Sequence, residues 1–291
     1  MPPAELAQVV VGRPRHLDEH LTVARVLPVA ARRALGPFVF LDHMGPTELA
    51  PGDGFDVRPH PHIGLSTVTA LFAGEIMHRD SLGVAQVIRP GELNVMVAGR
   101  GVVHSERATP AVRERGGPLH GLQLWMALPK SEEECAPSFE HRGADELPVW
   151  EEDGARAHLL LGGYGARRSP VQIAGGPTLI DVVLADGASF ASPAELAEHG
   201  VYVACGEVEL AGEVHPVGHL LIAAPGASLT VRARGAARIA VVGGDALDGP
   251  RHLDWNFVSS STERLAAARA DWQARRFPTV PGDEVEFVPY P

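Results

Sequence analysis

An all-β fold of two antiparallel domains, closed by one C-terminal helix, is what this sequence predicts, on three observations. Short apolar or alternating runs recur along the chain and are closed by turn residues, and 32 Gly and 25 Pro in 291 residues suit many short strands better than a helical bundle. The runs pause at a polar, proline-flanked stretch and then resume. A single segment near the C-terminus combines helical spacing with a capping signal.

In chain order, the first strand-like runs are 23–29, 37–41, 66–72, 85–88, 93–97 and 121–128, with turns at Ala73-Gly74-Glu75, Asp80-Ser81-Leu82-Gly83 and Pro90-Gly91-Glu92. From Pro129 to Pro148 the pattern gives way to Lys-Ser-Glu-Glu-Glu-Cys-Ala-Pro and similar polar sequence, which reads as an exposed connection. Strand-like runs resume at 158–161, 178–184, 201–204, 220–224, 228–231 and 237–242. Leu71-Phe-Ala-Gly-Glu-Ile in the first half is echoed by Tyr202-Val-Ala-Cys-Gly-Glu-Val in the second, as an internal duplication would leave it. The expected organisation is therefore a first domain over 1–133, a linker over 134–148, a second domain over 149–258, and a helix and tail over 259–291. Ser260-Ser261-Thr262-Glu263 matches a capping box with Ser260 as the cap, and Leu265, Ala268 and Trp272 then share one face. The segment 281–291 reads as an extended arm across the surface.

The formal net charge of −11 and a pI near 5.7 set the overall field against nucleic acid and acidic membrane surfaces. Cys135 and Cys205 are the two cysteines, far apart and in no C-x-x-C pattern, which argues against a disulfide framework or a thiolate metal site. No basic stretch followed by an apolar core opens the chain, and no apolar run approaches the ~20 residues of a membrane span. A cytoplasmic protein, with neither membrane nor nucleic acid as a direct partner, is the expectation.

The chemistry concentrates in two short segments. Arg58-Pro-His60-Pro-His62 places two histidines at i and i+2, and on a strand alternate side chains share a face, about 7 Å apart along the backbone. The segment Ala98-Gly-Arg-Gly-Val-Val-His104-Ser-Glu106 repeats the spacing with a histidine and a carboxylate. Three imidazoles and one carboxylate suit one divalent metal ion, iron(II), nickel, manganese, copper, cobalt or zinc, and four protein ligands leave positions free on an octahedral ion. Pro59 and Pro61 remove ladder donors, which points His60 to an edge strand, and Gly99 and Gly101 supply backbone freedom ahead of His104.

These residues, with Gly-Pro-Phe-Val-Phe-Leu-Asp-His-Met-Gly-Pro at 36–46, His-Arg-Asp-Ser-Leu-Gly at 78–83, Pro-Gly-Glu-Leu-Asn-Val-Met-Val-Ala-Gly-Arg-Gly at 90–101 and Gly-Leu-Gln-Leu-Trp-Met-Ala-Leu-Pro at 121–129, resemble the pirin family. Trp255-Asn-Phe-Val-Ser-Ser-Ser carries the resemblance into the C-terminal half. The resemblance implies a bicupin: two antiparallel, jelly-roll-like β-barrels face to face plus the C-terminal helix. It implies iron in the first domain, held by His60, His62, His104 and Glu106, and no metal in the second, which has no His-x-His. Ser66 stands where many pirins have Glu and is expected to alter the pocket lining rather than the metal.

Bacterial pirins imply a dioxygenase that cleaves quercetin or a related flavonol with dioxygen, with Glu106 as the base for the substrate's hydroxyl proton. The alternative that the resemblance carries is a non-catalytic, iron-dependent redox sensor that binds a transcription factor or a metabolic enzyme as its protein partner. His43, His78 and His120 are candidates to support the ligands by hydrogen bonding. His199, His215, His219 and His252 read as turn or surface residues, and Asp42 and Asp80 as turn caps.

Overall fold

The computed structural model describes residues 4–16 and 22–291; residues 1–3, part of the opening read above for the lack of a leader, lie outside the described residues. The first stretch of chain forms β1 (Leu6–Val11), β2 (Arg13–His16), β3 (Thr22–Leu27), β4 (Phe38–Leu49), β5 (Asp56–His62) and β6 (Leu65–Ala73). Next come β7 (Ile76–Asp80), β8 (Ala85–Ile88), β9 (Leu93–Val97), β10 (Val102–Arg107), a six-residue helix α1 (Pro110–Arg115), β11 (Gly117–Ala127) and β12 (Ser138–Arg142). The chain continues through β13 (Val149–Glu152), β14 (Ala155–Leu161), β15 (Gly163–Tyr164), β16 (Arg167–Arg168), β17 (Thr178–Leu184), β18 (Ser189–Ala191) and β19 (Glu198–Cys205). It ends with β20 (Glu207–Leu210), β21 (Glu213–Pro216), β22 (His219–Ala223), β23 (Thr230–Ala233), β24 (Ala237–Gly244), β25 (His252–Asp254), β26 (Phe257–Ser259) and α2 (Thr262–Gln273). Among the described residues no helix is long and apolar enough to cross a membrane.

Two compact units form. One takes Met1–Arg15, Ala24–His43 and Asp145–Ala246; the other takes His16–Val23, Met44–Ala144 and Leu247–Pro291. Strand β1, from the start of the chain, pairs antiparallel with β22 inside the first unit. The duplication legible in the Gly-Glu turns is present in the sheets. Strand order β5-β10-β7-β8 in one unit matches β18-β23-β20-β21 in the other, and β12-β9-β6-β11 matches β1-β22-β19-β24.

In the unit that holds the paired histidines, β5-β10-β7-β8 faces the sheet containing β12-β9-β6-β11, as side-chain contacts between the two show: Thr69 with Glu106, and Phe139 with His78. Its apolar core includes Met44, Leu49, Phe55, Leu71, Ile76 and Ile88. Strand β12, within the stretch read from sequence as a connection, pairs with β9 from Ser138↔Val97 to Arg142↔Leu93.

The last 45 or so residues pack on this same unit. Ile63 and Val103 share a cluster with Phe257, Leu265, Ala268, Trp272 and Val280, so the helix face expected from the sequence is the buried one. The cap is Ser261, whose hydroxyl accepts from Arg264 N, and not Ser260. Ser260 is taken up instead by Glu133, which accepts both its backbone N–H and its hydroxyl at 2.9 Å. The C-terminal arm runs beside β5: Val288 N donates to Pro59 O at 2.8 Å, and Trp272 Nε1 donates to Val288 O at 3.0 Å. It thereby occupies an edge that the prolines had already made a poor template for another strand.

Candidate metal centre

β5 is the edge strand of its sheet and pairs with β10 so that His60 lies opposite His104. The register slips by a β-bulge between His104 and Glu106, a device that re-aims side chains beside functional sites. Two glycines allow the connecting loops to approach closely. A Cβ on Gly64 (φ +67°) would meet Val258 O at 2.0 Å, and one on Gly99 (φ +48°) would meet Cys135 O at 2.2 Å.

The ligand atoms of His60, His62 and His104 all lie within 4.8 Å of one another, and all three rings are buried. Among the described residues this trio is the one cluster of histidine, cysteine and carboxylate groups with such spacing; the Glu106 carboxylate lies outside it. Glu106 is buried beside the trio on β10 and accepts a hydrogen bond from Thr69 Oγ1 at 3.3 Å.

The hydrogen bonds around the rings fix their tautomers. His60 Nδ1 lies 2.8 Å from Arg58 O, and His62 Nδ1 lies 2.9 Å from Asn256 O. A carbonyl only accepts, so both Nδ1 atoms carry the proton and both Nε2 atoms keep a lone pair. For His104 the proton is placed through a second ring, that of His78. Asp80 accepts from Leu82 N, Val84 N and His78 Nε2, and in the tautomer this sets for an uncharged His78 ring its Nδ1 accepts from His104 Nδ1 at 3.4 Å. His104 Nε2 is therefore also a free lone pair, 3.1 Å from that of His62.

Lone pairs at that separation repel unless something positive lies between them. Two nitrogens bound at right angles to one ion at ~2.1 Å are about 3 Å apart, so the trio fits a divalent cation. Burial lowers the pKa of all three histidines, to about 4 for His60 and well below the usual value for His62 and His104, which keeps them in the neutral, ligating form. Burial raises the pKa of Glu106.

Of the supporting histidines expected from sequence, His78 reaches the centre and also stacks on Phe139 at 4.5 Å between centroids. His43 belongs to the other unit and bonds Tyr202 there, while His120 meets Phe72 edge-on. Asp80 does cap its turn. Asp42 does not: it is buried and paired with Arg25. His199 and His215 are buried instead of lying at the surface, and His199 bonds Ser192. Ser66 sits on the face of β6 opposite to Thr67 and Thr69, so it does not line the centre; the alternation of a strand could have shown this. Sequence reasoning missed the roles of Asn256, Thr69, Trp125 and Phe139; Asn256 and Trp125 lie in segments that carry the family resemblance, whereas Phe139 falls in the stretch read as a connection. In the other unit the corresponding strand pair β18–β23 sets Phe190 opposite Val231, both in the apolar core, so this pair offers no ligand.

The architecture is therefore that of two cupin domains, one of which carries a buried three-histidine cluster able to hold a metal ion. Residues 20–126 match the Pirin family, and residues 179–278 match the Pirin C-terminal cupin domain. A pirin-like protein of Caulobacter vibrioides is 45% identical over 272 residues, covering 92% of this chain and 94% of that protein. The chain belongs to the pirin family. A Pseudomonas aeruginosa protein named as a proposed quercetin 2,3-dioxygenase is 37% identical, covering 92% of this chain and 84% of its own length. The crystal structure of quercetin 2,3-dioxygenase from Acinetobacter baumannii superposes with a TM-score of 0.91 at 32% identity, covering 98% of this chain and 95% of that one.

Proposed function

We propose that the centre holds one divalent ion, iron(II), through His60, His62, His104 and Glu106, and that the protein cleaves quercetin or a related flavonol with dioxygen. The observation that carries the reading is the convergence of three imidazole lone pairs, each fixed by its partner, beside a buried carboxylate. Likeness to the Acinetobacter baumannii dioxygenase over nearly the whole chain supports the substrate class. When bound, the ion would supply Lewis acidity toward the substrate's adjacent hydroxyl and keto oxygens and a path for electrons to dioxygen.

The remaining work falls to side chains. Thr69 Oγ1 reaches one oxygen of Glu106 at 3.3 Å, and the carboxylate that would hold the ion is also the group beside it that could take the flavonol hydroxyl proton. In the metal-free site burial raises the pKa of this carboxyl group. Trp125, edge-on to His62 at 5.0 Å between centroids, and Phe139, stacked on His78, offer the aromatic ligand an apolar wall.

Aerobic quercetin consumption, followed by its absorbance, tests the reading. Glu106→Gln is expected to retain the fold and lose about 10²-fold or more of turnover. Full turnover in that variant would remove Glu106 from the mechanism, and no turnover in iron-loaded wild-type protein would remove the dioxygenase.

A further inference from the structure

Opposite the histidines, the inner face of the β12-β9-β6-β11 sheet is built as in-register rungs. One rung sets Phe139 beside Met96, Met96 beside Thr67, and Thr67 beside Trp125. Two residues along each strand, the next rung sets His141, Asn94, Thr69 and Gln123 side by side. Paired residues share a face, and so do residues two apart on one strand. Contacts identify that face. Phe139 and Trp125 meet His78 and His62, and Thr69 meets Glu106. The first rung thus looks onto the histidines, and the second is polar at all four positions and reaches the carboxylate.

A polar row in such a place costs free energy wherever a group is left without a partner. Three of the four residues are satisfied along the row. His141 Nδ1 donates to Asn94 Oδ1 at 2.8 Å, and Thr69 Oγ1 meets the Gln123 side-chain amide at 2.8 Å. Thr69 Oγ1 donates to Gln123 Oε1 and lies 3.3 Å from Glu106 Oε1, so its one hydroxyl proton is shared between the two oxygens. Asn94 Nδ2 has no partner, although the residue is 4% exposed. A row kept for packing alone would close its hydrogen bonds; this one holds a buried donor free on the face whose Thr69 meets the carboxylate.

We infer that the polar rung selects the ligand: Asn94 Nδ2 donates to an oxygen of a flat, polyoxygenated aromatic molecule, one beyond the oxygens that meet the metal. The aromatic body of that ligand lies on the rung from Phe139 to Trp125. This inference rests on the flavonol reading above and extends it from the reacting oxygens to the choice among flavonols. It makes Asn94 a specificity residue for binding, separate from the proton transfer assigned to Glu106.

The test is equilibrium binding under nitrogen, where no turnover occurs, to nickel(II)-loaded protein. Quercetin is compared with 3-hydroxyflavone, which keeps the chelating pair and lacks the other hydroxyl groups. Asn94→Leu is expected to weaken quercetin about tenfold, as loss of one buried hydrogen bond does, and to leave 3-hydroxyflavone within about twofold. Asn94→Asp keeps the acceptor for His141 and replaces the free donor by an acceptor, so it should give the same selective loss should Asn94→Leu fail to fold. Equal effects on both ligands, or no effect on quercetin, would overturn the inference while the flavonol reading stands. Failure of the wild-type protein to bind either ligand would overturn both.

Discussion

Replacing His78 probes the chain of hydrogen bonds that runs from Asp80 through His78 to His104. In the folded protein the His78 Nδ1 lone pair holds the His104 proton on Nδ1 and so reserves Nε2 for a metal. In His78→Leu that acceptor is gone, the His104 ring is free to carry its proton on Nε2, and its orientation loosens. Changes to such outer partners lower metal affinity by about 10- to 100-fold, or about 1.4 to 2.7 kcal/mol. The stacking of His78 on Phe139 adds a separate fold cost of about 0.5 to 1.5 kcal/mol. Two measurements keep the effects apart: competition for nickel(II) against a chelator of known affinity, and urea unfolding of the metal-free proteins. His78→Gln, which restores an acceptor oxygen, should recover part of the affinity. Unchanged affinity in a well-folded His78→Leu protein would refute the assignment of the His104 tautomer.

Three further outcomes follow from the same geometry. Burial holds His60 at about 4 against an ordinary 6.5, so between those values the unfolded chain binds a proton that the folded, metal-free protein refuses. Its stability is therefore full above pH 6.5 and falls as pH drops toward 4, by about 3 kcal/mol from His60; urea unfolding in chelator should show this, with a shallower slope in His60→Phe. Gly99→Ala forces a Cβ against Cys135 O and a left-handed backbone, and should cost more than about 2 kcal/mol, whereas Gly83→Ala, with open space around its Cβ, should cost less. Trp272→Ala empties the cluster under the C-terminal helix and removes the donor to Val288, and calorimetry should register a loss of about 3 to 5 kcal/mol.

Much of the centre was legible because a strand has a period of two. His60 with His62, and His104 with Glu106, announce shared faces without any knowledge of what lies opposite, and the runs 85–88, 93–97 and 178–184 coincide with β8, β9 and β17. The rest depends on partners distant in sequence. Asp42 looks like a turn residue until Arg25 lies beside it, and Ser260 looks like a helix cap until Glu133 takes its N–H and hydroxyl. Strand β1 pairs with β22 across more than two hundred residues, which no local pattern encodes. The polar rung of His141, Asn94, Thr69 and Gln123 exists only once the register of four strands is known; each residue alone reads as an ordinary strand position.

The central claim is that three neutral imidazoles and Glu106 close on one ion. Elemental analysis of protein purified without chelator, beside His62→Ala prepared identically, tests it most directly. The account predicts about one equivalent of a divalent transition metal per wild-type chain and a near-complete loss in the variant. A wild-type protein that folds, is offered iron(II) or nickel(II) and retains neither would contradict it, and so would a variant that retains the full equivalent.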